Sequence, residues 1–206
     1  MAKTSAMVQA KIVKGAGKGA KKKMTCAQIF ASFDPPIEFG SHEDMVGSKD
    51  GYQAEHIIPT SAMHESGRSG PRIDGCDGYS TPEALTWMVG DGQSEGMEHK
   101  ILTDAMREFS QANDLAGEQA PLSEWLDQYE EGAKDALRDG KPPRTTPKGL
   151  DRESLINAAA ACIRAMAAEA FAKMDPPVKP NTELRNPWKA TEAQRAAVGG
   201  EGGGEV

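Results

Sequence analysis

The sequence predicts an α+β fold, mostly helical overall, organised around a strand–loop–strand–helix segment at about residues 50–112. Three observations predict it. A short apolar run at 51–58 (GYQAEHII) closes on Pro59, and a second run at 84–89 (ALTWMV) follows after a glycine-rich loop. A Gly90-Asp91-Gly92 turn then leads into Met97, Ile101, Ala105 and Phe109 at four-residue spacing, the repeat of one helical face. Downstream, 121–138 and 151–174 carry apolar residues at i, i+3, i+4 and i+7, which predicts two long amphipathic helices.

Residues 1–23 hold Lys3, Lys11, Lys14, Lys18, Lys21, Lys22 and Lys23 and no acid. Their Gly, Ala and Lys content predicts a flexible basic leader. The glycines there do not make a phosphate loop, because GxxxxGK[ST] and a preceding strand are both absent. Cys26, Ile29, Phe30 and Phe33 predict a short helix that Asp34-Pro35-Pro36 ends, since proline disfavours helix in the residue before it. Residues 37–50 read as a polar loop with His42 solvated inside it.

A strand at 51–58, a loop at 59–83 and a second strand at 84–89 follow. A loop of that length inside a compact domain is often functional. Ser94 is the expected N-cap of the next helix, with Glu95 and Glu98 favouring its positive end, and the helix should run to about 112. The helix at 121–138 turns Leu122, Trp125, Leu126, Tyr129, Ala133, Ala136 and Leu137 inward and stops at Gly140. Residues 141–150 read as a linker. Asp151 caps the last helix, with Leu155, Ile156, Ala159, Ile163, Met166, Ala170 and Phe171 inward, until Asp175-Pro176-Pro177 ends it. The proline- and then glycine-rich stretch 176–206 reads as a disordered tail. The division predicted is one domain at 24–140 with a helical extension at 151–175 packed on it.

Bulk properties narrow the function. At 206 residues with 38% hydrophobic and 5% aromatic content, the chain supports one core of about 100–150 residues with loose ends. A net charge of −7 argues against a general nucleic-acid-binding surface, although the basic leader could add sequence-independent phosphate affinity. No apolar run approaches the roughly 18 residues of a membrane span, so no membrane partner is expected. The N-terminal residues lack the apolar core of a secretory signal. The chain is therefore expected in the cytoplasm, or exported by a specialised apparatus. Cys26, Cys76 and Cys162 are far apart and form no CxxC pair, so neither a structural zinc site nor a disulfide framework is expected, and the thiols read as reduced.

Two adjacent acid–imidazole pairs carry the chemistry. Glu55-His56 ends the first strand, and Glu98-His99 lies 43 positions further on, in the helix. Successive strand residues point to opposite faces, so one of Glu55 and His56 can face a metal while the other faces a substrate. On the helix, Glu95, His99 and Thr103 share a face at four-residue spacing and Glu98 points elsewhere. Carboxylate and imidazole together suit one divalent ion, Mg2+, Mn2+, Ni2+ or Zn2+. Such an ion holds a scissile phosphate and stabilises the leaving oxygen while a neutral histidine takes a proton from water. It also lowers the cost of drawing a polyanion to an acidic protein. His64 in the long loop could complete the site, and Arg68 and Arg72 are the candidate phosphate contacts.

AEHIIPTS at 54–61, a second strand, and EHKILTDAMREF at 98–109 together resemble the ββα-metal (His-Me finger) core of the HNH and endonuclease VII nuclease superfamily. Within it, the likeness is to nuclease toxin domains that bacteria deploy against competitors, including type VI secretion effectors. It covers roughly 50–112. The resemblance implies a metal-dependent endonuclease, with DNA the expected nucleic acid ahead of RNA. It implies His56 as general base, Glu55 as metal ligand and His99 as second ligand. It also implies a cognate immunity protein, a possible secretion-apparatus partner, and delivery without a signal peptide into the target cell's cytoplasm. The chain departs from the pattern in lacking the middle asparagine of HNH; His64, Asp74, Asp77, Ser80 and Asp91 are the candidates to replace it.

Other chemistries fit less well. A zinc deaminase needs H-x-E and a later P-C-x-x-C, and a zincin needs HExxH; neither occurs. No local signature supports a cysteine hydrolase on Cys26 or Cys76. The alternative from another class is a non-catalytic acidic helical interaction module, an adaptor or toxin-neutralising protein, which the acidic balance and the two amphipathic helices would suit.

Overall fold

The computed structural model describes residues 9–12 and 22–200. Strand β1 (Gln9–Ile12) pairs antiparallel with β2 (Lys22–Thr25), with Lys11 opposite Lys23. Part of the expected flexible leader is therefore a two-stranded ladder; its residues 1–8 and 13–21 lie outside the described residues. Thr25 caps helix α1 (Cys26–Phe30) through a capping box with Gln28, and Ile29, Phe30 and Phe33 enter the core.

The stretch expected as a polar loop forms two short elements, β3 (Phe39–Ser41) and α2 (His42–Met45), with the Ser41 side chain capping α2. Strand β4 (Tyr52–His56) and strand β5 (Leu85–Gly90) occupy the two predicted strand runs. The sheet order is β3-β5-β4, antiparallel throughout, with Ser41 opposite Leu85 and His56 opposite Thr86. Both β3 and β4 thus end beside the start of β5. Helix α3 (Glu98–Ala116) follows β5 and closes on Gly117, whose φ of 72° suits the left-handed cap. It starts at Glu98, not at Ser94, because its first turn is drawn down onto the sheet by Glu98.

Beyond α3 come β6 (Ala120–Pro121), α4 (Leu122–Asp139), α5 (Arg152–Ala172), β7 (Glu183–Leu184) and α6 (Glu192–Gly200). The molecule is α+β and dominated by helix, as the sequence predicts. One core runs through it. Trp87 of β5 donates from Nε1 to the Tyr129 hydroxyl of α4 at 2.6 Å, and Phe109 of α3 meets Trp125 of α4 edge to face at 5.1 Å.

Three expectations need correction. Residues 141–150 are no linker: Arg144 is fully buried and donates to Glu98, to the carbonyls of Pro35 and Pro36 at 3.1 and 2.9 Å, and to that of Met88 at 2.8 Å. Residues 176–200 are no disordered tail. Val178, Leu184 and Asn186 are buried, β7 pairs with β6, and the Thr182 and Pro180 carbonyls accept from the first amides of α4, Leu122 and Ser123, each at 2.9 Å; residues 201–206 lie outside the described residues. The cysteines are not all reduced either: Cys26 and Cys162 form a disulfide joining α1 to α5, while Cys76 is a buried free thiol. The sequence hides that pairing because the two residues are 136 positions apart. Helix α5 also proves long and apolar enough by composition to cross a membrane; here half of that window is buried in the core.

Candidate metal centre and catalytic histidine

The two acid–imidazole pairs meet, one member from each. The end of β4 and the first turn of α3 bring Glu55 Oε2 to 3.3 Å from His99 Nε2, with both side chains more than four-fifths shielded from solvent. His99 is held from its other side, its Nδ1 lying 2.8 Å from the Gln93 amide nitrogen. Thr103, one turn further along α3, reaches the same Nε2 at 3.3 Å, so the predicted His99–Thr103 face forms. Burial pushes the Glu55 carboxyl up to about 8, against smaller lowering effects from the Gln53 side chain and the Arg68 charge. Burial likewise lowers His99, opposed by the Gly92 carbonyl and Asp91.

Strand alternation sends His56 to the other face of the sheet. Its ring stacks on His42 at a centroid distance of 4.3 Å and an interplanar angle of 30°, and its Nε2 lies 3.5 Å from the Thr81 carbonyl. An apolar hollow of about 10 Å³, bordered by Ile58, Ala167 and Phe171, adjoins the ring. Burial, then the neighbouring His42, lower His56 to about 4, so it is neutral at pH 7. The Arg68 charge acts on Glu55, His56 and His99 alike.

The other predicted residues fall elsewhere. Glu95 is exposed and lies before the start of α3, so it shares no helix face with His99. His64 is buried with both ring nitrogens engaged, Nδ1 at 2.8 Å from the Thr60 carbonyl and Nε2 at 3.0 Å from Arg72 Nη1, so neither is free for a metal. Arg72 also donates from Nε to the Tyr79 carbonyl at 2.6 Å; it braces the loop and is not presented to a phosphate. The His64–Arg72 bridge, with the Glu65 amide donating to the Pro71 carbonyl at 2.9 Å, pinches the loop so that exposed Arg68 stands at its tip. Glu98 points away from His99, as predicted, into its ion pair with Arg144.

Of the residues proposed to replace the missing asparagine, only Asp91 has its charge act on His99. Among the described residues no three His, Cys, Asp or Glu side chains gather as a metal cluster. Glu55 and His99 alone still fit an ion by their spacing, since two donors about 2.1 Å from one ion lie about 3.0–3.4 Å apart at right-angled to tetrahedral geometry. The burial that pushes the Glu55 carboxyl up is the second sign of fit, since a bound divalent ion would offset it.

Sequence reasoning missed His42, Gln53, Thr81 and Gln93. Only His42 left a trace: Ser41-His42-Glu43-Asp44 has the capping serine and following acids of a helix start. No protein-family model, no curated protein and no solved structure matches this chain.

Proposed function

We propose that the protein is a metal-dependent endonuclease of the ββα-metal kind, hydrolysing phosphodiester bonds, with DNA the expected substrate ahead of RNA. The observation that carries the reading is the 3.3 Å approach of Glu55 to His99, made by the strand–strand–helix order β4-β5-α3. Glu55 and His99 would hold one divalent ion, Mg2+, Mn2+, Ni2+ or Zn2+, which when bound supplies Lewis-acid stabilisation of charge on the phosphate and leaving oxygen. His99 would bind through Nε2 with its proton on Nδ1, where the Gln93 side chain accepts it once its amide is turned. His56 takes a proton from water. Its Nε2–H faces the Thr81 carbonyl, no hydrogen bond engages Nδ1 among the described residues, and its neutrality at pH 7 leaves that nitrogen's lone pair available. Arg68 orients a phosphate oxygen from the loop tip.

In this reading the chain acts as an antibacterial toxin. It needs a cognate immunity protein in the producing cell's cytoplasm and reaches the target cytoplasm through a secretion apparatus. The test is cleavage of supercoiled plasmid with each of the four metals, with EDTA, and by His56→Ala. Cleavage that requires metal and falls at least about a hundredfold in the variant is the expected result. A folded wild-type protein that cleaves neither plasmid nor RNA with any metal would sink the nuclease reading and leave the acidic interaction module.

A further inference from the structure

The proposed motif needs only β4, β5 and α3, yet the sheet has a third strand whose end delivers a second histidine to the first. Strand β3 pairs with β5 so that Ser41 lies opposite Leu85, one residue from the Thr86 that faces His56. Ser41 caps α2, and the His42 amide donates to the Ala84 carbonyl at 3.0 Å, so the corner is anchored to the chain entering β5. The His42 side chain makes no hydrogen bond among the described residues; its one ring contact is the stack on His56, at 4.3 Å between centroids.

The His56 ring would otherwise be loosely held. Its Nε2 contact to the Thr81 carbonyl is 3.5 Å, at the outer limit of a hydrogen bond, and a histidine χ2 is a broad, two-fold torsion. A half-turn about χ2 would put Cδ2 where Nδ1 stood and Cε1 where Nε2 stood, breaking the contact to the Thr81 carbonyl and turning the lone pair away from where water must lie.

Resting on the nuclease reading, we propose that His42 is a positioning residue for His56: the β3–α2 corner clamps the ring by stacking, keeps Nε2–H on the Thr81 carbonyl and presents Nδ1 as the base. The stack needs a flat ring at position 42 and does not need that ring's nitrogens. His42 itself transfers no proton.

The distinction between a flat ring and a titrating one is the test. Long-range 1H–15N spectra of the imidazole nitrogens are recorded on metal-free wild type, His42→Phe and His42→Ala, with the His56 signals assigned by their loss in His56→Gln. Wild type and His42→Phe should show one His56 tautomer, protonated on Nε2; His42→Ala should show averaged or broadened signals. In plasmid cleavage, His42→Ala should lower kcat about tenfold or more with KM little changed, and His42→Phe should recover most of that loss. Should the alanine variant fail to fold, His42→Leu replaces it, filling the space without a planar face.

An unchanged His56 tautomer and kcat in the alanine or leucine variant would overturn the proposal. So would an equal loss in His42→Phe, which would assign the role to the imidazole nitrogens of His42. If wild type cleaves nothing, the nuclease reading falls while the spectra still decide whether His42 holds His56.

Discussion

A carboxyl that stays protonated near neutral pH is costly to a folded protein, and Glu55 is such a group. Its folded-state value near 8 exceeds the ordinary 4.5, so the folded chain retains a proton that the unfolded chain releases. The sign follows. Below pH 4.5 both states are protonated and there is no penalty; between 4.5 and 8 the penalty grows as pH rises; above 8 it is complete. Glu55→Gln, which mimics the protonated carboxyl, should therefore stabilise the metal-free protein at pH 8 by about 2 kcal/mol or more and leave it unchanged near pH 4. Chemical denaturation in EDTA at the two pH values measures this, and a difference independent of pH would refute the assignment. The same variant should lose metal affinity, since a divalent ion binds the deprotonated carboxylate and must displace that proton. His56 carries the opposite dependence: with its folded value near 4, its neutral burial costs nothing above pH 6.5 and destabilises progressively as pH falls from 6.5 to 4.

At the scale of elements, the start of α3 is set by a buried ion pair rather than by a cap. Glu98 accepts from Arg144 Nε at 2.5 Å and Nη2 at 2.9 Å, and from the Gly90 amide at 2.7 Å. This one carboxylate joins the end of β5, the first turn of α3 and the segment before α5, and it sits one residue from His99. Arg144→Met removes the partner and leaves the charge buried, so it should destabilise by about 3–5 kcal/mol, whereas adding Glu98→Leu should restore much of the loss. Urea melts of the single and double variants make the comparison, and additive losses would exclude the pair. Glycine is required at 90 for a related reason: a Cβ there would collide with the Lys141 carbonyl. The bracing of the 64–72 loop by His64 and Arg72 belongs to the same scale, since it turns a long loop into a support for Arg68.

At the scale of the whole molecule, the segment 178–188 straps the helices to the candidate site. Its Arg185 donates to the carbonyls of Ser61, at 2.6 Å through Nη2, and His64, at 2.7 Å through Nε, at the base of the Arg68 loop. Its Thr182 and Pro180 carbonyls satisfy the first amides of α4, and Ser110 of α3 bonds both the Trp188 carbonyl and amide. Ending the chain after residue 176 removes buried Val178 and Leu184 together with those bonds. It should lower stability by about 4 kcal/mol or more, and limited proteolysis should then cut first within 64–72. A truncated protein with wild-type melting behaviour would show the strap to be dispensable. The strap also explains why a tail that reads as disordered is ordered: its prolines and polar residues supply carbonyls and an arginine to elements more than fifty residues away, and no local pattern records that use.

What the sequence by itself determined is what repeats locally. The strand runs at 51–58 and 84–89, the stripe of α4, most of that of α5 and the breaks at Asp34-Pro35 and Asp175-Pro176 are written in period and punctuation, because burial of one face selects the residues along it. In α3 the fully buried row is Glu98, Leu102, Met106 and Ser110, with the expected Met97, Ile101, Ala105 and Phe109 only half-buried beside it. Glu55, His56 and His99 were legible as candidates for the same reason, each adjacent to such a run. What only the tertiary structure decided are the partnerships. Glu55 meets His99 and not Glu95, His56 meets His42, His64 is consumed by Arg72, Arg144 is swallowed by Glu98, and Cys26 finds Cys162. All but the His64–Arg72 bridge join residues well apart in the chain, and their choice depends on how sheet and helices pack: a contact between distant segments leaves no period in either one.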